Sequence, residues 1–318
     1  TKQGVYVLDS LRDTPKLWLP NPGSCFVMED IEGAHWIATL NNGLIYLPKI
    51  PWKSICNDES NVNAVVNIDI EDKLLAVAFA SGKVKLYSNF QSPAILNIKS
   101  DSHVPDVKIK NDHLYTSELD INLNNPSVKR PINEQSSRVI NISSDSKGNL
   151  LLASNRGLFL SSTDASKQEV SLSKFTNRAE VAKFTSRGQI LVGTREGLYR
   201  SEKNATFSKI YAYFNSHVKD IIEGPDESFW LLTHGDGLAL LHNDTIIKLN
   251  NTYSLTSKFC TKGFCDTKGN IWIGTNQGLN KISIINLENI QLSIESYSQS
   301  DGLPSNQIND IDQYGDTL

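Results

Sequence analysis

Residues 266–279 read DTKGNIWIGTNQGL, a turn followed by a short apolar run and a second turn. Worn copies of this phrase recur along the chain. The glycine near its end marks the period: Gly43, Gly82, Gly157, Gly197, Gly237 and Gly278 lie 39, 75, 40, 40 and 41 residues apart, and the 75 is two periods with one mark missing. Gly4, 39 residues before Gly43, extends the series to the first residues. A constant period of about forty residues is the mark of a repeat architecture, so the chain reads as one array.

Within each copy the physics is local. Asp-x-x-Gly, at 30–33, 145–148 and 266–269, makes a tight turn in which Asp accepts main-chain N–H groups ahead of it and Gly takes positive φ. Upstream stand apolar residues three apart, Val139 and Ile142 or Val218 and Ile221, a spacing that fits a strand with a bulge better than strict alternation. Downstream come dense apolar runs: HWIATL at 35–40, LLAVAFA at 74–80, LLLAS at 150–154, ILVGT at 190–194, FWLLT at 229–233 and IWIGT at 271–275. Runs apolar on both faces are strands buried between sheets. The chain then returns through GLIYLP, GKVKLY, GLFLSS, GLYRSE, GLALLH or GLNKIS, where apolar and polar residues mix, and a weaker fourth strand follows.

Four antiparallel strands per forty residues without helical stretches describe an all-β fold, a β-propeller of four-stranded blades. The small residues Gly193 and Gly274, with Ala38, Ala78 and Ala153, let sheets approach near the axis. Trp36, Trp230 and Trp272 just before them are expected between blades, and truncating Trp272 is expected to be costly. Around 106–123 the turn has become Glu118-Leu119, so that blade is expected to keep its strands and change its loop. The count is seven complete blades in a core at 21–300, a two-strand half-blade at 1–20, and at 301–318 a further strand pair that starts the next blade or closes the ring. If the terminal halves join, the ring has eight blades; otherwise it is a seven-bladed ring cut from a larger array.

With 39% hydrophobic residues, 21% charged and a net charge of −4, the composition lacks the basic excess of a nucleic-acid binder. No nucleic-acid partner is expected. No apolar run reaches the eighteen residues of a membrane span, and TKQGVYVLDS is not a signal peptide. Because the first residues already lie inside a repeat, the sequence reads as a fragment of a longer precursor. The four cysteines, Cys25, Cys56, Cys260 and Cys265, have neither a CxxC pair nor histidines at zinc spacing, so no metal is expected and buried thiols are the preferred reading. Disulfides pairing Cys25 with Cys56, or Cys260 with Cys265, stay open.

D-x-x-G-N-I-W-I-G-T-x-x-G-L resembles the two-component regulator propeller repeat, and SQSDGLPSNQINDI at 298–311 is similar to the linker and first strand that precede it. The resemblance is strong at 257–285, fair around 30, 145 and 185, and poor around 70 and 110. It implies the periplasmic sensor region of a hybrid two-component receptor, one that responds to an oligosaccharide and switches on genes for glycan utilisation. It also implies an adjoining propeller and an immunoglobulin-like domain in the same chain, a homodimeric full receptor, and a kinase outside this stretch. The family's seven-bladed habit favours the ring cut from a larger array.

No HExxH, GxSxG, P-loop or dinucleotide fingerprint occurs. Glu71 and Asp72 read as a solvated turn. The chain is therefore expected to be no enzyme and to need no cofactor; a glycan lyase or hydrolase, or a purely structural scaffold, are the alternatives. Propeller geometry gathers the turns between second and third strands on one face. Their candidate ligand-binding residues are Asn155, Arg156, Arg195, Glu196, His234, Asp236, Asn276 and Gln277, with Asn41 and Asn42 in the equivalent earlier turn. Planar polar side chains hydrogen-bond sugar hydroxyls, and arginines can hold a carboxylate or sulfate with two parallel bonds. Ordinary polar turn residues are the competing reading. His217 and His242 read as histidines without a role.

Overall fold

The computed structural model describes residues 4–7, 16–20, 24–29, 35–39, 44–47, 64–89, 91–100, 104–132, 138–162, 170–171, 175–202, 206–249 and 252–314. The turn expected at 30–33, together with Asn41, Asn42, Gly43 and Cys56, lies outside them. Regular structure among the described residues is all strand apart from two single-turn 3-10 helices, Pro225–Glu227 and Gln299–Asp301. The protein is an all-β propeller of four-stranded antiparallel blades.

The chain divides into two compact units, Thr1–Ser54 with Ser298–Pro304, and Ile55–Tyr297 with Ser305–Leu318. The first holds the strand pair Gly4–Val7 and Lys16–Pro20 and the three-stranded sheet Ser24–Glu29, His35–Thr39, Leu44–Leu47. The second holds six four-stranded blades. Blade 1 is Val65–Glu71, Leu74–Phe79, Lys83–Ser88 and Gln91–Lys99, and blade 2 is Val107–Lys110, His113–Thr116, Leu119–Asn122 and Lys129–Pro131. Blade 3 is Val139–Ser144, Asn149–Ser154, Gly157–Ser162 and Val170–Ser171, and blade 4 is Val181–Phe184, Ile190–Thr194, Gly197–Ser201 and Phe207–Ile210. Blade 5 is Val218–Glu223, Phe229–Thr233, Leu238–His242 and Thr245–Lys248, and blade 6 is Cys260–Cys265, Ile271–Thr275, Gly278–Asn286 and Gln291–Tyr297.

Local chemistry explains the repeated phrase. The Asp145 carboxylate accepts the N–H groups of Lys147 and Asn149 at 2.9 and 2.8 Å, and Gly148 closes the turn at φ +83°. Asp266 does the same for Lys268 and Asn270 at 2.9 and 2.8 Å. The glycine of the second turn is required by crowding: a Cβ on Gly157 would lie 2.3 Å from the Phe175 carbonyl oxygen, and Gly157 has φ +137°. Blade 2 keeps all four strands while its altered turn is capped by Thr116, whose hydroxyl accepts the N–H groups of Glu118 and Leu119 at 3.2 and 2.9 Å.

The second strand is apolar on both faces because it serves two interfaces. Leu150 and Leu152 pack toward Tyr115 and Ile132 of the blade 2 side. Between them, Leu151 and Ala153 pack toward Ala182 and Val192 of blade 4. Trp230, fully buried, likewise fills the space between blades 5 and 6 with Ile222, Ile271 and Ile282. Trp272 departs from expectation. It faces away from blade 5, is half-buried, stacks on Tyr297 with ring centroids 5.9 Å apart, and donates its indole N–H to Asp266 at 2.9 Å. The cost expected from a cavity at Trp272 belongs to Trp230, whose truncation removes a fully buried side chain, at about 3–5 kcal/mol. For Trp36 the structure describes the strand and not the side chain. Close sheet approach at the small residues is direct: a Cβ on Gly193 would lie 2.6 Å from Val181 and 2.7 Å from Val218 side chains. Cys260 and Cys265 are free thiols, and burial pushes the Cys260 thiol up to about 12.

Inner strands carry the expected bulge, at 65–67, 139–141, 218–220 and 260–263. In blades 1, 2, 3 and 5 an Asn or Asp at the start of the inner strand accepts a main-chain N–H of the following inner strand. Asn67 takes Val107 N–H at 2.9 Å, Asp106 takes Ile142 at 2.7 Å, Asn141 takes Ala182 at 3.2 Å and Asp220 takes Gly263 at 3.1 Å. Residues 305–313 join this series. Ile308 N–H donates to the Thr275 carbonyl at 3.0 Å, while Asp310 accepts Ile68 N–H at 3.0 Å and Asp312 accepts Ile70 N–H at 2.8 Å. Residues 305–313 thus form one segment linking blade 6 to blade 1. It links the ends of the series of six inner strands in the larger unit.

Candidate functional site

The second-to-third-strand turns of blades 3 to 6 share one device. The hydroxyls of Ser154, Thr194, Thr233 and Thr275 donate to the carbonyls of Gly157, Gly197, Gly237 and Gly278 at 3.0, 3.0, 2.7 and 2.9 Å. Three of them also accept the N–H of Arg156, Glu196 or Gln277, each at 3.1 Å. The backbone of the turn is thereby satisfied internally, and the two middle side chains are presented to solvent. Asn155, Arg156, Arg195, Glu196, His234, Asp236, Asn276 and Gln277 are all exposed.

The turns differ in what they meet. Asn155 is tied to its own approach strand, accepting Arg138 N–H at 2.9 Å. Asn276 donates its N–H to the Phe259 carbonyl at 3.3 Å. Arg195 and His234 converge on one cluster. Glu180, at the entry to blade 4, is buried with a side chain only 3% exposed. Its carboxylate accepts Arg178 Nε at 2.6 Å and Arg195 Nε at 3.0 Å. Lys219 Nζ lies 3.7 Å and His217 Nε2 3.8 Å away. His217 lies against His234 with ring centroids 5.6 Å apart, and His234 meets the exposed Phe259 ring edge-on at 5.0 Å.

Burial alone would raise the Glu180 carboxyl; the bond from Arg178, the charge of Lys219 and the bond from Arg195 outweigh it and hold it below the usual range. Burial lowers the His217 imidazole, with Lys219, His234 and Arg195 adding to the effect against the pull of Glu180. His217 is therefore neutral at pH 7, and the cluster carries three fixed cations against one carboxylate. Both arginines spend only Nε on Glu180. Their Nη groups have no partner among the described residues.

Arg178, Glu180, Lys219 and Phe259 were not among the residues singled out by sequence, and His217, read there as a histidine without a role, lies 3.8 Å from the Glu180 carboxylate. The overlooked signal is the inner-strand motif V-x-[ND]-[IV], present as VVNI at 65–68, VPDV at 104–107, VINI at 139–142 and VKDI at 218–221. Aligned on it, Glu180 of AEVA and Lys219 of VKDI occupy the same repeat position in neighbouring blades with opposite charge.

No family model matches the sequence, and no curated protein matches it. Solved structures share the fold. The chain is similar to the extracellular domain assigned to a hybrid two-component system of B. thetaiotaomicron, with 19% identity and a TM-score of 0.68 over 91% of this chain and 42% of that one. It is also similar to the extracellular domain assigned to a one-component system of B. thetaiotaomicron, with 15% identity and a TM-score of 0.52 over 93% of this chain and 49% of that one. Virginiamycin B lyase of Staphylococcus aureus matches with 11% identity and a TM-score of 0.61 over 76% of this chain and 87% of its own. At these identities the likeness establishes the propeller fold, and the chain spans less than half the length of both extracellular domains.

Proposed function

We propose that this chain is the ligand-sensing propeller region of a periplasmic two-component receptor that responds to an oligosaccharide and controls glycan-utilisation genes. One observation carries the reading. On the turn face, the exposed Phe259 ring meets His234 edge-on, His234 lies against His217, and His217 stands 3.8 Å from the Glu180 carboxylate that Arg178 and Arg195 hold through Nε. Sugars present that pairing in reverse, an apolar C–H face ringed by hydroxyls. The repeat resemblance and the two extracellular-domain structures support the same reading. On this reading, an adjoining propeller and an immunoglobulin-like domain of the same chain pass the signal within a homodimeric receptor, and the propeller performs no chemistry.

Calorimetry of the full extracellular region against a panel of oligosaccharides tests the proposal. Saturable binding by at least one of them, weakened by Phe259→Ala, is expected. Silence across the panel would sink the glycan assignment, and release of a product by the purified chain would replace the sensor with a propeller enzyme.

A further inference from the structure

The Glu180 cluster is over-supplied with positive charge. A carboxylate that needed only a partner would be satisfied by one arginine using both prongs of its fork. Here two arginines from different segments, the approach to blade 4 and the turn after Ile190–Thr194, each offer a side-on Nε. Lys219 stands behind them from blade 5, too far for a hydrogen bond at 3.7 Å. Arg178 and Arg195 are 42% and 61% exposed, so their free Nη groups reach solvent while their orientation is fixed from below. Such an arrangement pre-orients cationic donors without neutralising them, which is what tight recognition of a planar or tetrahedral oxyanion requires. His217 adds a buried Nε2 without a hydrogen-bond partner.

We propose that Arg178, Arg195 and Lys219, with Glu180 as internal counter-charge, form an oxyanion-binding site for a carboxylate or sulfate group on the ligand. The proposal deepens the oligosaccharide reading by assigning the sugar an acidic substituent, and it can be tested apart from it. The 318-residue chain is titrated with sodium sulfate and with D-galacturonate, against sodium chloride and D-galactose at matched ionic strength.

Saturable binding of at least one oxyanion and none of galactose is expected. Arg178→Gln with Arg195→Gln should weaken it at least about tenfold, the scale of one lost charge-assisted hydrogen bond. Sulfate alone assigns a sulfate ester, galacturonate alone a uronic acid. Both exchanges lie at exposed side chains, and an unchanged far-UV circular dichroism spectrum checks the fold. Should the double variant fail to fold, Lys219→Gln must still weaken binding. No saturable oxyanion binding, or binding untouched by these exchanges, overturns the proposal. A neutral oligosaccharide bound equally by wild type and double variant would remove the oxyanion site while leaving the sensing reading intact. Oxyanion binding with silence across the oligosaccharide panel would do the reverse.

Discussion

Glu180 and Lys262 are charge inversions of each other within one propeller unit. Glu180 is a carboxylate among Arg178, Arg195 and Lys219. Lys262 is an ammonium in the field of Asp310, Asp220, Asp106 and Asp69. Their partners differ in freedom. Those of Glu180 are long side chains that reach solvent, so a ligand can compete for them. Those of Lys262 are short carboxylates held by main-chain N–H groups of neighbouring inner strands, as Asp310 is by Ile68 and Asp106 by Ile142. The first arrangement is exchangeable. The second ties the ring together, and it includes the segment at 305–313 that links blade 6 to blade 1.

The largest expected effect follows from removing Lys262. Burial alone would lower its ammonium, yet the four aspartates hold it above its ordinary value. Lys262→Met leaves those aspartates facing one another, and breaking such a buried arrangement costs about 3–5 kcal/mol. Urea unfolding at pH 8 measures it. A loss below about 1 kcal/mol would show that the carboxylates do not depend on Lys262 and would dissolve the comparison.

The two sites also answer pH in opposite directions. Burial pushes the Asp310 carboxyl up to about 7 from its ordinary 3.8, against the pull of Lys262 and the Ile68 N–H. Between pH 4 and 7 the folded state therefore holds a proton that the unfolded chain has released. Stability from this group is full below about 4 and falls as pH rises toward 7, by up to about 1.4 kcal/mol per pH unit. Glu180, held below its ordinary 4.5, contributes stability that is full above that value and is lost as pH falls through its folded pKa. Asp310→Asn keeps an acceptor for Ile68 and should flatten the curve between pH 4 and 7, whereas Glu180→Gln should flatten only the acid limb. Identical curves for wild type and Asp310→Asn would contradict the assignment.

What could be read from sequence divides along the same line. Turns, bulges and doubly apolar strands were legible because each depends on residues close in the chain: Asp145 with Gly148, Val139 with Ile142, LLLAS as one run. The bonds between blades were not, because Asn67 meets Val107 and Asp310 meets Ile68 only once the ring is built. Their trace, V-x-[ND]-[IV], was present but weaker to the eye than the glycine period. Trp230 and Trp272 show the limit of reading by repeat position. They are equivalent in sequence, yet Trp230 is fully buried with an unpaired indole N–H, while Trp272 is half-buried and bonded to Asp266. Blade 5 has Gly224 in place of that aspartate, and a Cβ there would lie 2.7 Å from the Trp230 indole nitrogen. The polar turn residues named from sequence are exposed, but which of them meet depends on Glu180, a residue outside every turn.

The smallest expected effect is the stability cost of Glu180→Gln at pH 7. The substituted amide still offers one oxygen to Arg178 or Arg195, and both arginines regain water because more than a third of each is already exposed. Solvent screening of this kind reduces such pairs to about 1 kcal/mol or less. The same urea titration used for Lys262→Met gives the number, and the ratio of the two is the informative quantity. If Glu180→Gln costs as much as Lys262→Met, the cations around Glu180 are committed to holding blades 4 and 5 together and are not available to a ligand. A small cost means that they are held in place without being consumed by the fold, which is the condition an exchangeable oxyanion site has to meet.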